Sequence, residues 1–344
     1  MSQKNETAVL VLALLTTLGL VGGIFWWLAQ GSDFRINSDN SPSHQLEFSN
    51  KSNFASVSSK VPPGLFSYGG STTWAPIRKV VDPVIQNDVP QFRLRYTDPT
   101  FGAPGSGSGI KMLLNNQLAF SQSSRSVQPE EHQQAQRQNF TLKEIPVAID
   151  GIAIAVNPEL NISGLTIAQI KDIYTSKITN WQQVGGPNLP IVPYSRRKEE
   201  GGTVEFFVEN ILEKWQFGAG VKFISTTTQA LRELGRNRGG IYYASATEVV
   251  GQCSVKPLPV GRTSAQVVPP YKLPFVPLSQ CPEKRNQLNA AGFQSGEYPV
   301  TRRLFVIVKQ NGQTDQDAGE AYANLLLTNQ GQELITKAGF VRIR

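Results

Sequence analysis

Two cysteines and two histidines are all that 344 residues offer of the side chains that most often hold metals. His44 and His132 lie far in sequence from Cys253 and Cys281, and no zinc-ligand spacing occurs, so no metal site is expected. There is no GxSxG elbow, no HExxH helix and no pair of carboxylates in a recognisable catalytic setting. His132 sits in EEHQQAQRQ, a polar stretch that reads as a solvated helix face. Enzymatic chemistry is therefore not expected, and no cofactor is implied. Lys and Arg number 33 against 26 Asp and Glu, a formal charge of +7, yet they are scattered. Without a dense basic run interleaved with aromatics, nucleic acid is not the expected partner; a solvated basic surface, an acidic surface or a small anion fits better. No internal repeat is visible.

What is present begins with a run of about 23 uncharged residues, 7–29, long enough at about 1.5 Å per residue to cross a hydrocarbon layer. Trp26 and Trp27 close it, where indoles favour the interface. The run predicts a membrane anchor. Ala29-Gln30-Gly31 leaves cleavage as a signal sequence open. In either case the remainder is extracytoplasmic, tethered to the inner membrane or secreted. Residues 31–60, rich in Ser and Asn and without periodicity, read as a flexible tether with an r.m.s. span of about 30 Å.

From residue 61 onward short branched runs (91–96, 117–120, 147–156, 189–194, 241–243, 304–308) alternate with amphipathic stretches (74–87, 166–174, 202–212, 226–234, 317–337). This predicts an α/β protein with mostly parallel sheets. In an exported chain the even cysteine count suggests a disulfide between Cys253 and Cys281; two buried thiols are the alternative.

Four loops of glycine and hydroxyl residues precede predicted helices: Gly69-Gly70-Ser71-Thr72-Thr73-Trp74; residues 102–109, with a helix beginning at about Gly109; Ser123-Ser124-Arg125; and 196–203, containing Arg197, Gly201, Gly202 and Thr203. Any one of them is accounted for as a helix cap or, for the second, a linker. Together they present N–H groups, hydroxyls and a guanidinium suited to one oxyanion.

The order GGSTTWAP, GSGSGI, SSRSVQPEE, IYTSKITNWQQVGG, RRKEEGGT, GGIYYAS, YPVTRRLFVIVK and GQELITKAGFVRI resembles the phosphate-binding proteins of high-affinity phosphate ABC transporters over about residues 66–343. The resemblance implies a type II periplasmic binding fold: two α/β lobes joined by a two-segment hinge, with crossings near 145–155 and 243–246. One lobe would combine 61–146 with 247–344; the other would be 147–246.

It further implies a monomer that captures inorganic phosphate and delivers it to permease subunits. The implied ligands are Thr72 or Thr73, the Trp74 backbone, Ser106, Ser124, Arg125, Arg197, Gly201, Gly202 and Thr203. Where many relatives carry an Asp that accepts the phosphate proton, this chain is read as having Arg125, and at Gly201 a usual hydroxyl is missing. Arg125 either joins the ligand set or pairs with Glu130 or Glu131; Thr73 and Thr203 serve as ligands or only as caps. Glu199 or Glu200 is then the nearest acceptor in sequence, and discrimination against sulfate is expected to be loose. Other readings are a binding protein for sulfate, molybdate or tungstate, and a membrane-anchored phosphate-sensing or assembly module.

Overall fold

A computed structural model describes residues 53–197 and 201–343. The apolar run 7–29, most of the tether, and Lys198, Glu199 and Glu200 lie outside the described residues. Among the described residues no helix is long and apolar enough to cross a membrane.

The chain enters as a short helix, α1 (Phe54–Val57), capped by the Asn53 side chain. Phe54 is fully buried against the first core, so the last residues of the expected tether are part of the folded body. An aromatic side chain at that point gains more from burial than a coil gains from freedom.

Strands and helices then alternate: β1 (Gly64–Gly70), α2 (Ala75–Asp88), β2 (Phe92–Tyr96), α3 (Ser106–Leu114), β3 (Phe120–Ser123) and α4 (Pro129–Arg137). A 16-residue strand, β4 (Thr141–Val156), follows. Beyond it lie β5 (Leu165–Thr166), α5 (Ile167–Tyr174), β6 (Val192–Ser195), α6 (Gly202–Asn210), β7 (Lys222–Phe223), α7 (Thr227–Arg236), β8 (Gly240–Ser245) and α8 (Ala246–Val249). The chain continues through β9 (Lys256–Leu258), β10 (Val260–Gly261), β11 (Val267–Val268) and α9 (Ala290–Ser295). It returns by β12 (Thr301–Gln310), α10 (Thr314–Leu327), α11 (Asn329–Lys337) and β13 (Val341–Arg342). The single amphipathic stretch read over 317–337 is two helices, because Thr328 adopts an extended conformation and its hydroxyl accepts from Gly331 N–H to cap the second.

The main sheet runs β2-β1-β3-β12-β4-β8-β6-β7. Its outer pairs, β1 with β2 and β3 and β6 with β7 and β8, are parallel as expected. Its centre is not. β12 is antiparallel to both β3 and β4, and β8 and β9 are antiparallel to β4. β4 serves both halves, pairing with β12 over Thr141–Gly151 and with β8 over Ile152–Val156.

Among the described residues three cores pack against the sheet, the third, with Ile110, Leu113, Leu142 and Ile307, on the opposite face of β12 from the first. The first gathers Phe54, Phe66, Trp74, Phe92, Phe120, Val306 and Tyr322; the second gathers Ile152, Tyr174, Trp181, Phe207, Tyr243 and Leu258. Val249, Val255, Val260, Phe293 and Val300 pack in the second core, although the sequence reading placed residues 247–344 together with the first. The reason is that β9 pairs with β4 at Ile154–Val156 before the chain returns through β12. A disulfide joins Cys253 to Cys281 in this segment, with a Cα–Cα distance of 5.8 Å.

Candidate functional site

The loop after β1 is fixed by its own backbone. Ser71 N–H donates to Gln122 O at 2.8 Å, and its carbonyl accepts from Trp74 N–H at 3.2 Å and Arg78 Nη1 at 3.2 Å. Arg78 also donates to Gln122 Oε1 at 2.9 Å and lies 4.0 Å over the Tyr96 ring. The buried Trp74 indole donates to Ser123 O at 3.0 Å, tying this loop to the end of β3.

The glycines of 102–114 answer to packing. The helix starts at Ser106, three residues earlier than expected, and a Cβ on Gly109 would stand 2.4 Å from Gly70 Cα. Only glycine lets α3 lie that close to the end of β1. Ser106 and Ser124 are thereby brought to Ser71: Ser71 Oγ donates to Ser124 Oγ at 2.9 Å, Ser106 Oγ lies 3.2 Å from Ser124 Oγ, and Ser124 N–H donates to Ser106 Oγ at 3.0 Å. Gly202, first residue of α6, closes on this cluster from the second half; a Cβ there would be 2.5 Å from Ser124 Oγ. Two helix N-termini and three hydroxyls thus meet at one point, the chemistry by which backbone and side chains replace the hydration of an anion.

At the centre stands Arg302, only 5% exposed. Its Nε and Nη2 donate to Asp150 Oδ2 at 3.0 and 2.9 Å. Nη2 also donates to Thr73 Oγ1 at 3.0 Å and Thr203 Oγ1 at 2.9 Å, while Nη1 donates to Gly202 O at 3.0 Å and Ser124 Oγ at 3.4 Å. Burial pushes the Asp150 carboxyl up, and the Arg302 guanidinium and the Ser245 hydroxyl work against that shift. Arg302 was not singled out in the sequence. The available signal was an arginine pair at the head of an apolar strand: alternation buries Arg302 and exposes Arg303.

Beside Arg302 opens a cavity of about 260 Å³ between the two halves, lined by Thr72, Thr73, Arg196, Thr203, Thr227, Tyr242, Ser245, Thr247 and Glu248 among others. A Cβ on Gly201 would lie 3.4 Å from Arg196 Nη1 and 3.5 Å from Thr72 Oγ1, so Arg196 and Thr72 flank that glycine. Along the wall, Ser245 Oγ donates to Asp150 Oδ1 at 2.5 Å and lies 2.9 Å from Thr247 Oγ1.

Thr72, Thr73, Ser106, Ser124, Gly201, Gly202 and Thr203 therefore converge. Trp74 contributes as a buried anchor, its N–H already donating to Ser71 O. Arg197 does not join them: its guanidinium lies 5.2 Å over the Phe223 ring and lines a surface groove with Lys214 and Trp215. Successive residues of extended chain face opposite ways, and it is Arg196 that faces the cavity. Arg125 turns aside as well, with Nη1 and Nη2 donating to Glu131 at 2.9 and 2.8 Å and Nε to Glu205 at 3.4 Å. Ser124 is the residue of that loop which faces the cluster.

A family profile, the PBP superfamily domain, matches residues 57–330. The chain belongs to the PBP superfamily. Among curated relatives, Protein SphX of Synechococcus elongatus is 26% identical over 80% of this chain and 77% of its own length. Phosphate-binding protein PstS of Staphylococcus haemolyticus is 24% identical over 79% of each. Among solved structures, an ABC-type phosphate transport receptor from Vibrio cholerae superposes with a TM-score of 0.63 at 20% identity, covering 80% of this chain and 99% of that one. PstS from Borrelia burgdorferi superposes at 0.55 and 21% identity over 81% and 99%. The fold of this PBP superfamily member is the expected type II arrangement, two lobes meeting along β4.

Proposed function

We propose that this protein captures inorganic phosphate between its two lobes, without catalysis, and delivers it to an ABC permease at the extracytoplasmic face of the membrane. Residues 7–29 supply its anchor or its export signal, and it works as a monomer. The observation that carries this reading is the buried Arg302 guanidinium, hydrogen-bonded to Thr73 of one lobe, just before α2, and to Thr203 of the other, in the first turn of α6. Relatives named for phosphate binding share the fold and most of the length.

The anion is held by Arg302, Arg196, the Thr72, Thr73 and Thr203 hydroxyls and the N-terminus of α6. Bonds from fixed guanidinium groups to an oxyanion are the strong ones. Calorimetry of the full chain with phosphate, sulfate, molybdate and tungstate tests the reading. Phosphate is expected to bind best. Its margin over sulfate should stay below about a thousandfold, roughly 4 kcal/mol, because Asp150 already accepts from Arg302 and Ser245. Arg196→Ala should cost about 2 kcal/mol or more, while Arg197→Ala should leave affinity within about twofold. A larger loss from Arg197→Ala than from Arg196→Ala would return the ligand role to the residue that motif spacing favours.

A further inference from the structure

We infer that the same cavity accepts a small phosphate monoester carrying an amine, with Glu248 holding the ammonium group. The inference deepens the phosphate reading above and rests on it for the anion end.

Size is the first argument. A tetrahedral oxyanion has five heavy atoms, and a water in liquid occupies about 30 Å³. A cavity of about 260 Å³ has room for the anion and several further heavy atoms.

Charge is the second. Arg196 lines the cavity with Thr72, Thr73 and Thr203, the last two accepting from the buried Arg302, whereas Glu248 lines the same cavity from α8, beyond Ser245 and Thr247. The lining thus runs from a donor, Arg196, to an acceptor, Glu248. Among the described charged residues that line this space, Arg196 is balanced by Glu248. A dianion alone meets a neutral site, and a ligand that brings its own cation does not oppose Glu248.

Satisfaction is the third. Glu248 accepts from Thr227. Burial and then Asp150 push its carboxyl up, against the pull of Thr227, Arg302 and Arg196, and the residue is exposed to the solvent of the cleft. Its place near the start of α8 explains an acidic side chain there but not the cavity that this side chain lines.

The test is calorimetry of the full chain and of Glu248→Gln with inorganic phosphate, methyl phosphate and 2-aminoethyl phosphate. For the wild type, 2-aminoethyl phosphate is expected to bind at least about tenfold more tightly than methyl phosphate. Glu248→Gln should move two ligands in opposite directions: inorganic phosphate severalfold tighter, 2-aminoethyl phosphate about tenfold weaker. A purely structural Glu248 would shift both the same way, and that result overturns the inference. So does a wild type that binds inorganic phosphate but not the amino ester, an outcome that leaves the phosphate reading standing. Failure of all three ligands to bind overturns the phosphate reading and this inference with it.

Discussion

Arg302 and Asp150 form a buried pair in which each member depends on the other. Their side chains are 2% and 0% exposed. Removing one partner strands a buried charge, which is far more costly than the net worth of the pair. Arg302→Ala is therefore expected to lower stability by about 3 to 5 kcal/mol, read as a shift of the urea midpoint. Adding Asp150→Asn should recover part of that loss, since the second charge is then gone too. Neither protein should bind phosphate well, so stability and binding separate in the double variant. If Arg302→Ala keeps wild-type affinity, Arg302 is a structural arginine and the anion sits on Arg196 alone.

α2 carries a second buried carboxylate whose role is positional. Asp82 accepts from the Tyr68 hydroxyl and, at 3.0 Å, from Tyr322 Oη; Gln122 Nε2 donates to Tyr322 Oη at 3.0 Å, and Arg78 joins Gln122 to the Ser71 loop. Burial is the main cause that raises Asp82 to about 6, against the pull of Tyr68, Tyr322 and Arg78. The folded state thus holds a proton that the unfolded chain releases near pH 4. Stability from this group is present below that pH and lost as pH rises towards about 6, by about 2 to 3 kcal/mol. Asp82→Asn should remove that part of the slope in unfolding curves taken from pH 4 to 7. An unchanged slope would mean that other groups set the pH dependence.

The proposed capture of phosphate turns on closure of the two lobes. Besides those of Arg302, hydrogen bonds across the cleft among the described residues include Arg125 Nε to Glu205 Oε2 at 3.4 Å and Gln128 Nε2 to Glu209 Oε2 at 3.3 Å. Arg125 is itself held by the two bonds to Glu131, so little side-chain freedom is lost when it meets α6. Contacts made only in the closed form favour that form, and their loss appears mainly as faster release. Glu205→Gln is expected to speed phosphate dissociation about three- to tenfold, with a smaller change in association, in stopped-flow measurements. An equal slowing of association would place Glu205 in capture instead of retention.

How much of this was legible beforehand follows from the range of each interaction. The hydroxyl loops, the helix starts and the alternation of strands and helices were open to reading because capping, glycine freedom and side-chain periodicity act within a few residues. The two cysteines pointed to their disulfide because an exported chain with an even count leaves few pairings. The choice of Arg196 over Arg197, and of Ser124 over Arg125, needed the structure, since a one-residue change in which side chain faces the cleft reverses the answer and motif spacing does not resolve it. Residues 249–300 joined the second core through the pairing of β9 with β4, a contact no local pattern announces. Arg302 reaches Asp150 across 152 positions and Thr73 across 229, so its place at the centre was decided by the antiparallel register of β12 against β4.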